Sequence, residues 1–127
     1  MNQQVRILPG ESWRVAFTAD DFERMMRLGA FADMRAELAG GRLEKMMPAL
    51  PSHGERNVSI GAKLREAIAD RPLRVASDLA IRIDETTVRA ADIAIYPAEL
   101  DADRVPDGGS ILLVVEIADT TVSRDLG

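Results

Sequence analysis

"VRAADIAIYP" (residues 88–97) and "ILLVVEIA" (residues 111–118) decide how this chain folds. Both are built from the β-branched and aliphatic residues that suit a strand. Pro97 closes the first, and Gly108-Gly109 form a turn ahead of the second. "SILLVVEIA" is the most apolar stretch of the chain, and so continuous a run predicts a strand buried on both faces of a sheet. Yet each segment carries one acid, Asp92 and Glu116. A carboxylate taken out of water is costly unless it is paired, protonated or bound to a cation. Two readings of the pair are open. Either the acids occupy corresponding places on neighbouring strands and share a divalent ion, or each sits at a strand end and meets solvent or an arginine.

Working outward, "LRVAS" and "LAIRID" upstream of Asp92 read as two further strand segments. Before them, "SHGERNVSIGAKLREAIAD" (52–70) reads as the main helix, ended by Pro72. Val58, Gly61, Leu64 and Ile68 recur there at helical spacing and predict its buried side, while Lys63, Arg65 and Glu66 lie off that line. "MRAELAGGRLEKMMPA" predicts a hairpin with arms near 35–39 and 42–46, because Gly40-Gly41 can supply the positive φ angles of a two-residue turn. "TADDFERMMRLG" (18–29) predicts a short helix with Thr18 as N-cap, Asp20 and Asp21 in the first turn and Gly29 as the C-terminal stop. Residues 1–17 read as an irregular or weakly stranded lead-in turning at Pro9-Gly10. "ELDADRVPDGG" (99–109) is a polar loop or a short helical turn. Strands and helices in this order give an α/β class, and 127 residues suit a single domain over 1–127.

Composition narrows the function. Hydrophobic content of 46% with 29% charged residues is that of an ordinary globular protein. There is no cysteine, so no disulfide framework and no thiolate metal site. No apolar run reaches the ~18 residues of a membrane span. "MNQQVRILPGESWRV" lacks a signal-peptide pattern, which makes the cytoplasm the expected location. A net charge of −5 argues against binding nucleic acid through a broad basic surface, but leaves room for a local basic groove or for acids that hold metal. The basic residues are fourteen Arg against only Lys45 and Lys63. That bias fits bidentate phosphate contacts, and with high Ala content it also fits a GC-rich genome.

Other side chains were weighed in the same way. Glu37 and Glu44 flank the hairpin turn, and Glu37 is placed to reach the strand acids, the alternative being a solvated hairpin acid. His53, the only histidine, stands beside Gly54 at the start of the main helix. It either orients a phosphate or water or makes a backbone hydrogen bond at the helix start. Ser77, Thr120 and Ser123 have no base partner in the pattern, so serine hydrolysis has no support. No glycine-rich phosphate loop is present.

The ordered set "AELAGGRLEKM", "PSHGERNVSIGAKL", "VRAADIAIY" and "LLVVEIADTTVSRDLG" resembles the Uma-two family of restriction endonuclease-like proteins, in the PD-(D/E)XK nuclease superfamily. The likeness spans about residues 18 to 127. Glu37, Leu38 and Gly41 match its Glu-Leu-x-x-Gly hairpin, and His53 matches its histidine turn. Asp92 matches the acid of its Arg-Pro-Asp-Val strand, although Ala91 replaces the proline. Val115, Glu116 and Ile117 match its Val-Glu-Val strand. Thr120, Thr121, Ser123, Arg124 and Asp125 match the turn into its next helix.

The resemblance implies a restriction endonuclease-like core, a mixed central β-sheet flanked by helices. It implies DNA phosphodiester hydrolysis with Mg²⁺ or Mn²⁺ held by Asp92 and Glu116, assisted by Glu37, with His53 and Arg124 on the substrate. A homodimer and no membrane association are expected with it. One departure bears on activity: the superfamily lysine two residues after the second acid is Ala118 here, and the resemblance implies a lysine placed instead in the helix beyond Asp125. The chain ends at Gly127 without that helix or the strand after it, so a truncated family member is expected. A catalytically silent binding or dimerisation module is the alternative to an active nuclease. A third reading is an unrelated α/β domain whose strand acids are structural.

Overall fold

The computed structural model describes residues 6–8 and 11–118. Its contacts divide the chain into two compact units, the first Met1–Pro48, Ala80–Ala90 and Asp101–Gly108, the second Ala49–Leu79, Ala91–Leu100 and Gly109–Gly127.

In the first unit the lead-in is more regular than its sequence suggests. Strands Arg6–Leu8 (β1) and Glu11–Ala16 (β2) pair antiparallel through Arg6↔Ala16 and Ile7↔Val15. The turn residues Pro9 and Gly10 lie outside the described residues. Helix Ala19–Arg27 (α1) begins as its sequence indicates. Thr18 Oγ1 accepts from Asp21 N at 3.1 Å and Asp21 Oδ2 accepts from Thr18 N at 2.9 Å, a reciprocal box that satisfies two otherwise orphan donors. Asp20 and Asp21 in the first turn and Arg24 and Arg27 in the last complement the helix dipole. Leu28 caps the end and Gly29 follows at φ 83°, where a side chain would be strained.

Strands Ala36–Ala39 (β3) and Arg42–Lys45 (β4) form the expected hairpin. Gly40 and Gly41 take φ 56° and 87°, the two positive values of a tight turn matched to strand twist. At Gly41 a Cβ would also stand 3.1 Å from the Ala16 Cβ, so this glycine is required twice over. Ala19, Phe22, Leu38 and Val88 make the buried core, and the Phe31 ring stacks on Phe22 with centroids 5.0 Å apart.

A buried acid anchors α1. Glu23, 5% exposed, accepts from Arg104 Nε at 2.8 Å and from Val105 N at 3.0 Å. Burial pushes its pKa up. The Arg104 and Val105 hydrogen bonds and the charges of Arg104 and Arg27 outweigh that, so the net shift is downward from 4.5. A depressed carboxylate stabilises the fold at pH above its ordinary value and loses that contribution as pH falls through its lowered folded value. Glu23→Gln is therefore expected to cost about 1–3 kcal/mol at neutral pH. The gap from wild type should close in strong acid, as read by urea unfolding at a series of pH values. A gap independent of pH would refute the ionic account.

Two long strands run through both units: Leu73–Asp84 (β5) and Thr87–Pro97 (β6). The two segments expected at 73–77 and 79–84 are one strand. Asp78, a non-glycine residue at φ 52°, marks the place where the sequence pattern breaks. In the first unit β6 pairs β3 at Leu38↔Val88. In the second it pairs strand Leu113–Val115 (β7) through Ile93↔Val115, Ala94↔Val114 and Ile95↔Leu113, all antiparallel. The sheet order is β4-β3-β6-β5, with β7 also on β6. A five-stranded sheet with two helices is the α/β class expected.

Helix Pro51–Ala67 (α2) starts with proline at its first turn, where the missing N–H costs nothing. Its inward side departs from the expected one. Val58 is 73% exposed, and the half-buried line runs His53, Asn57, Ile60, Gly61 and Leu64, then on to Ile68 beyond the helix end. That line begins with two polar residues, which apolar periodicity passes over. The β7 segment also differs from expectation. Leu112, Leu113 and Val114 are 58%, 45% and 44% exposed, because among the described residues this strand joins the sheet only through β6. Ile93, Ala94 and Ile95 of β6 are the buried ones. Among the described residues no helix is long and apolar enough to cross a membrane.

Candidate active site

The site lies in the second unit, on β6. Asp92 sits between buried Ala91 and Ile93, so strand alternation turns its side chain to the opposite face from theirs. Its side chain is 19% exposed, and its partners are neither an arginine nor open water. Oδ1 lies 3.3 Å from His53 Nε2, and Oδ2 accepts from Ile117 N at 2.7 Å. One helical turn after His53, Asn57 Nδ2 donates to the Asp92 carbonyl oxygen at 3.4 Å. Two α2 side chains spaced i, i+4 thus grip a single residue of β6. Turning the Asn57 amide over would set two oxygens against each other, so Nδ2 is the atom facing the carbonyl.

Asn57 Oδ1 is then a buried acceptor with no hydrogen-bond partner among the described residues. An orphaned buried oxygen of this kind costs about 1–3 kcal/mol and persists where something else is gained. The β6–β7 pairing ends at Ile93↔Val115, and Glu116 follows as an exposed residue just past the end of β7. The Ile117 N–H to Asp92 bond ties the chain down immediately after Glu116. Next, Arg56 Nη1 donates to Ala118 O at 3.3 Å.

Sequence reading singled out Asp92, Glu116, Glu37, His53 and Arg124. The second unit brings Asp92 and His53 into contact, while Glu116 lies just past the end of β7 and is exposed. Glu37 belongs to the first unit, 8% exposed. Its Oε2 accepts from Ala90 N at 2.6 Å and its Oε1 from Arg89 Nη1 at 3.2 Å, and Arg89 also reaches Glu44 Oε1 at 3.4 Å. Arg124 lies outside the described residues, as do Thr120, Thr121, Ser123 and Asp125. Arg56 and Asn57 were not anticipated. Their signal was the i+3 and i+4 spacing from His53, visible only to a reader who already trusted the histidine.

Among the described residues no group of three or more His, Cys, Asp or Glu side chains comes together. A closed cage is therefore not what these residues build. Asp92, Glu116 and the Asn57 amide oxygen are hard oxygen donors, the type magnesium prefers.

A five-stranded sheet with two helices is consistent with a restriction endonuclease-like α/β core. The Uma2 family, described as "Putative restriction endonuclease", matches residues 19–127. The chain belongs to that family. The family's description points to nuclease activity, and restriction endonuclease-like proteins generally use divalent metals. No curated protein matches the chain.

Proposed function

We propose that this protein is a cytoplasmic endonuclease of the PD-(D/E)XK type, with residues 1–127 acting as one domain, that hydrolyses DNA phosphodiester bonds with Mg²⁺ or Mn²⁺. The observation that supports the reading is the His53 contact with half-buried Asp92, with Glu116 the residue that follows the Ile93↔Val115 pair. Asp92 and Glu116 would hold the ion, with Asn57 Oδ1 as a further oxygen. When bound, such an ion stabilises phosphoryl charge and lowers the pKa of water. The chain's own residues prepare the carboxylate. The Ile117 N–H fixes Asp92 Oδ2 and His53 restrains Oδ1, so the acid's orientation is set before substrate arrives. Glu37 assists as a positioning residue: its bond to Ala90 N fixes β6 two residues ahead of Asp92. Arg124 contacts substrate.

The test is cleavage of supercoiled plasmid with Mg²⁺ or Mn²⁺, against chelator, for wild type and Glu116→Gln. Removal of one carboxylate of a metal pair is expected to lower the rate about 10²- to 10³-fold. Equal cleavage by Glu116→Gln, or cleavage that survives chelation, would sink the assignment.

One observation favours a second reading, a catalytically silent binding or homodimerising module. Ala118 stands two residues after Glu116, where the superfamily motif has lysine, and Leu112–Val114 present an apolar strand. This reading expects a dimer in sedimentation and no heat of Mn²⁺ binding in calorimetry.

A further inference from the structure

Arg56 lies between His53 and Asn57 in α2, the two residues that grip Asp92. Its guanidinium reaches Ala118 O at 3.3 Å, while the N–H of the preceding residue, Ile117, holds the Asp92 carboxylate at 2.7 Å. The acid and the cation are thus tied to consecutive residues of one short segment, just beyond Glu116. Arg56 is half-buried, so its head is restrained rather than free in solvent. A guanidinium carries five N–H donors in a fixed fork, and the Ala118 bond uses one of them.

Charge makes this position matter. The chain carries −5 overall, and Asp92 and Glu116 add negative potential at the site itself. A DNA phosphate approaching two carboxylates is repelled unless a cation meets it locally. We infer that Arg56 is the phosphate-binding residue of this site, its guanidinium anchored on the Ala118 carbonyl and turned to a DNA backbone phosphate beside Asp92. The inference rests on the nuclease reading and adds the group that binds substrate. A planar fork suits two phosphate oxygens at once, which a lysine ammonium does not reproduce.

The experiment is fluorescence anisotropy of the whole chain on a labelled duplex in Ca²⁺, over a series of salt concentrations, with the duplex checked for integrity on a gel. Arg56→Met is expected to weaken binding about tenfold and to lower the slope of log K against log salt by about 1. Arg65→Met removes the same charge nine residues further along α2 and should leave that slope within half a unit of wild type. Arg56→Lys should keep the slope and recover only part of the affinity. Mn²⁺ binding by calorimetry should be equal in wild type and Arg56→Met, which separates loss of the phosphate contact from damage to the metal centre. Should Arg56→Met fold poorly in thermal melts, Arg56→Lys carries the comparison through its affinity. Wild-type affinity and slope in both Arg56 variants would overturn this inference and leave the nuclease reading intact. Failure of wild type to bind the duplex at all would overturn both.

Discussion

Asp92→Asn is expected to reduce metal-dependent DNA cleavage by about three orders of magnitude while leaving the fold in place. The asparagine keeps one side-chain oxygen, so the Ile117 N–H, 2.7 Å from Asp92 Oδ2, still has an acceptor. The flanking residues Ala91 and Ile93 stay buried as before. What is lost is the negative charge. A metal ion supplies several kcal/mol of transition-state stabilisation, and each ~1.4 kcal/mol is a factor of ten in rate. Loss of an ion-binding carboxylate therefore reaches about a thousandfold. Plasmid cleavage rates in Mn²⁺, paired with thermal melts of the same samples, provide the measurement. Retained cleavage with an unchanged melt would exclude Asp92 from the metal centre. A collapsed melt would mean that its charge serves the fold, the case of an acid held only by its imidazole and peptide partners.

Phe22→Ala is expected to cost about 3–5 kcal/mol of stability, the largest loss from any single core truncation in the first unit. Phe22 is 1% exposed and packs with Ala19, Leu38 and Val88, while Phe31 stacks against its ring. Removing the ring strips contacts from α1, β3 and β6 at once, and their backbones are pinned by hydrogen bonds. Phe17 N donates to Gly41 O at 2.8 Å, Ala19 N to Glu85 O at 2.7 Å and Gly41 N to Thr86 O at 2.7 Å. The space left behind therefore cannot readily collapse, and the cavity cost adds to the lost burial. Urea unfolding followed by circular dichroism reads the change. A loss below about 1 kcal/mol would show that the site relaxes. Because Phe22 belongs to the first unit and Asp92 to the second, Mn²⁺ affinity per folded molecule should not change.

Local signals in the chain were reliable wherever the chemistry was local. Thr18 with Asp21 forms its capping box through atoms three residues apart, and Gly40-Gly41 take positive φ because few other residues do so cheaply. Pro51 opens α2 for an equally local reason, but the helix ends at Ala67, ahead of the expected stop at Pro72. Readings that depended on what covers a surface fared worse. Val58 fell on the helical apolar line but is exposed, and "ILLVV" looked buried on both faces but is half exposed. Apolar periodicity records which residues can be buried, whereas actual burial depends on what packs against them. The break between "LRVAS" and "LAIRID" was legible, but one residue at φ 52° was enough to carry a single strand across it.

The sequence by itself determined the candidate acids and the family. Asp92 and Glu116 stand out as charges in apolar segments; Asp92 is half-buried and needs compensation, whereas Glu116 sits past a strand end and is exposed. Only the tertiary structure decided what compensates the first of them. His53, Asn57 and Ile117 lie 39, 35 and 25 residues from Asp92 along the chain, and no local rule links such positions. The β6–β7 register, a property of strand pairing alone, set Val115 opposite Ile93, each beside one of the two acids. The same packing set Arg56 against Ala118, 62 residues away, and so placed a cation beside an acidic site that the net charge of −5 had made an unpromising host for phosphate.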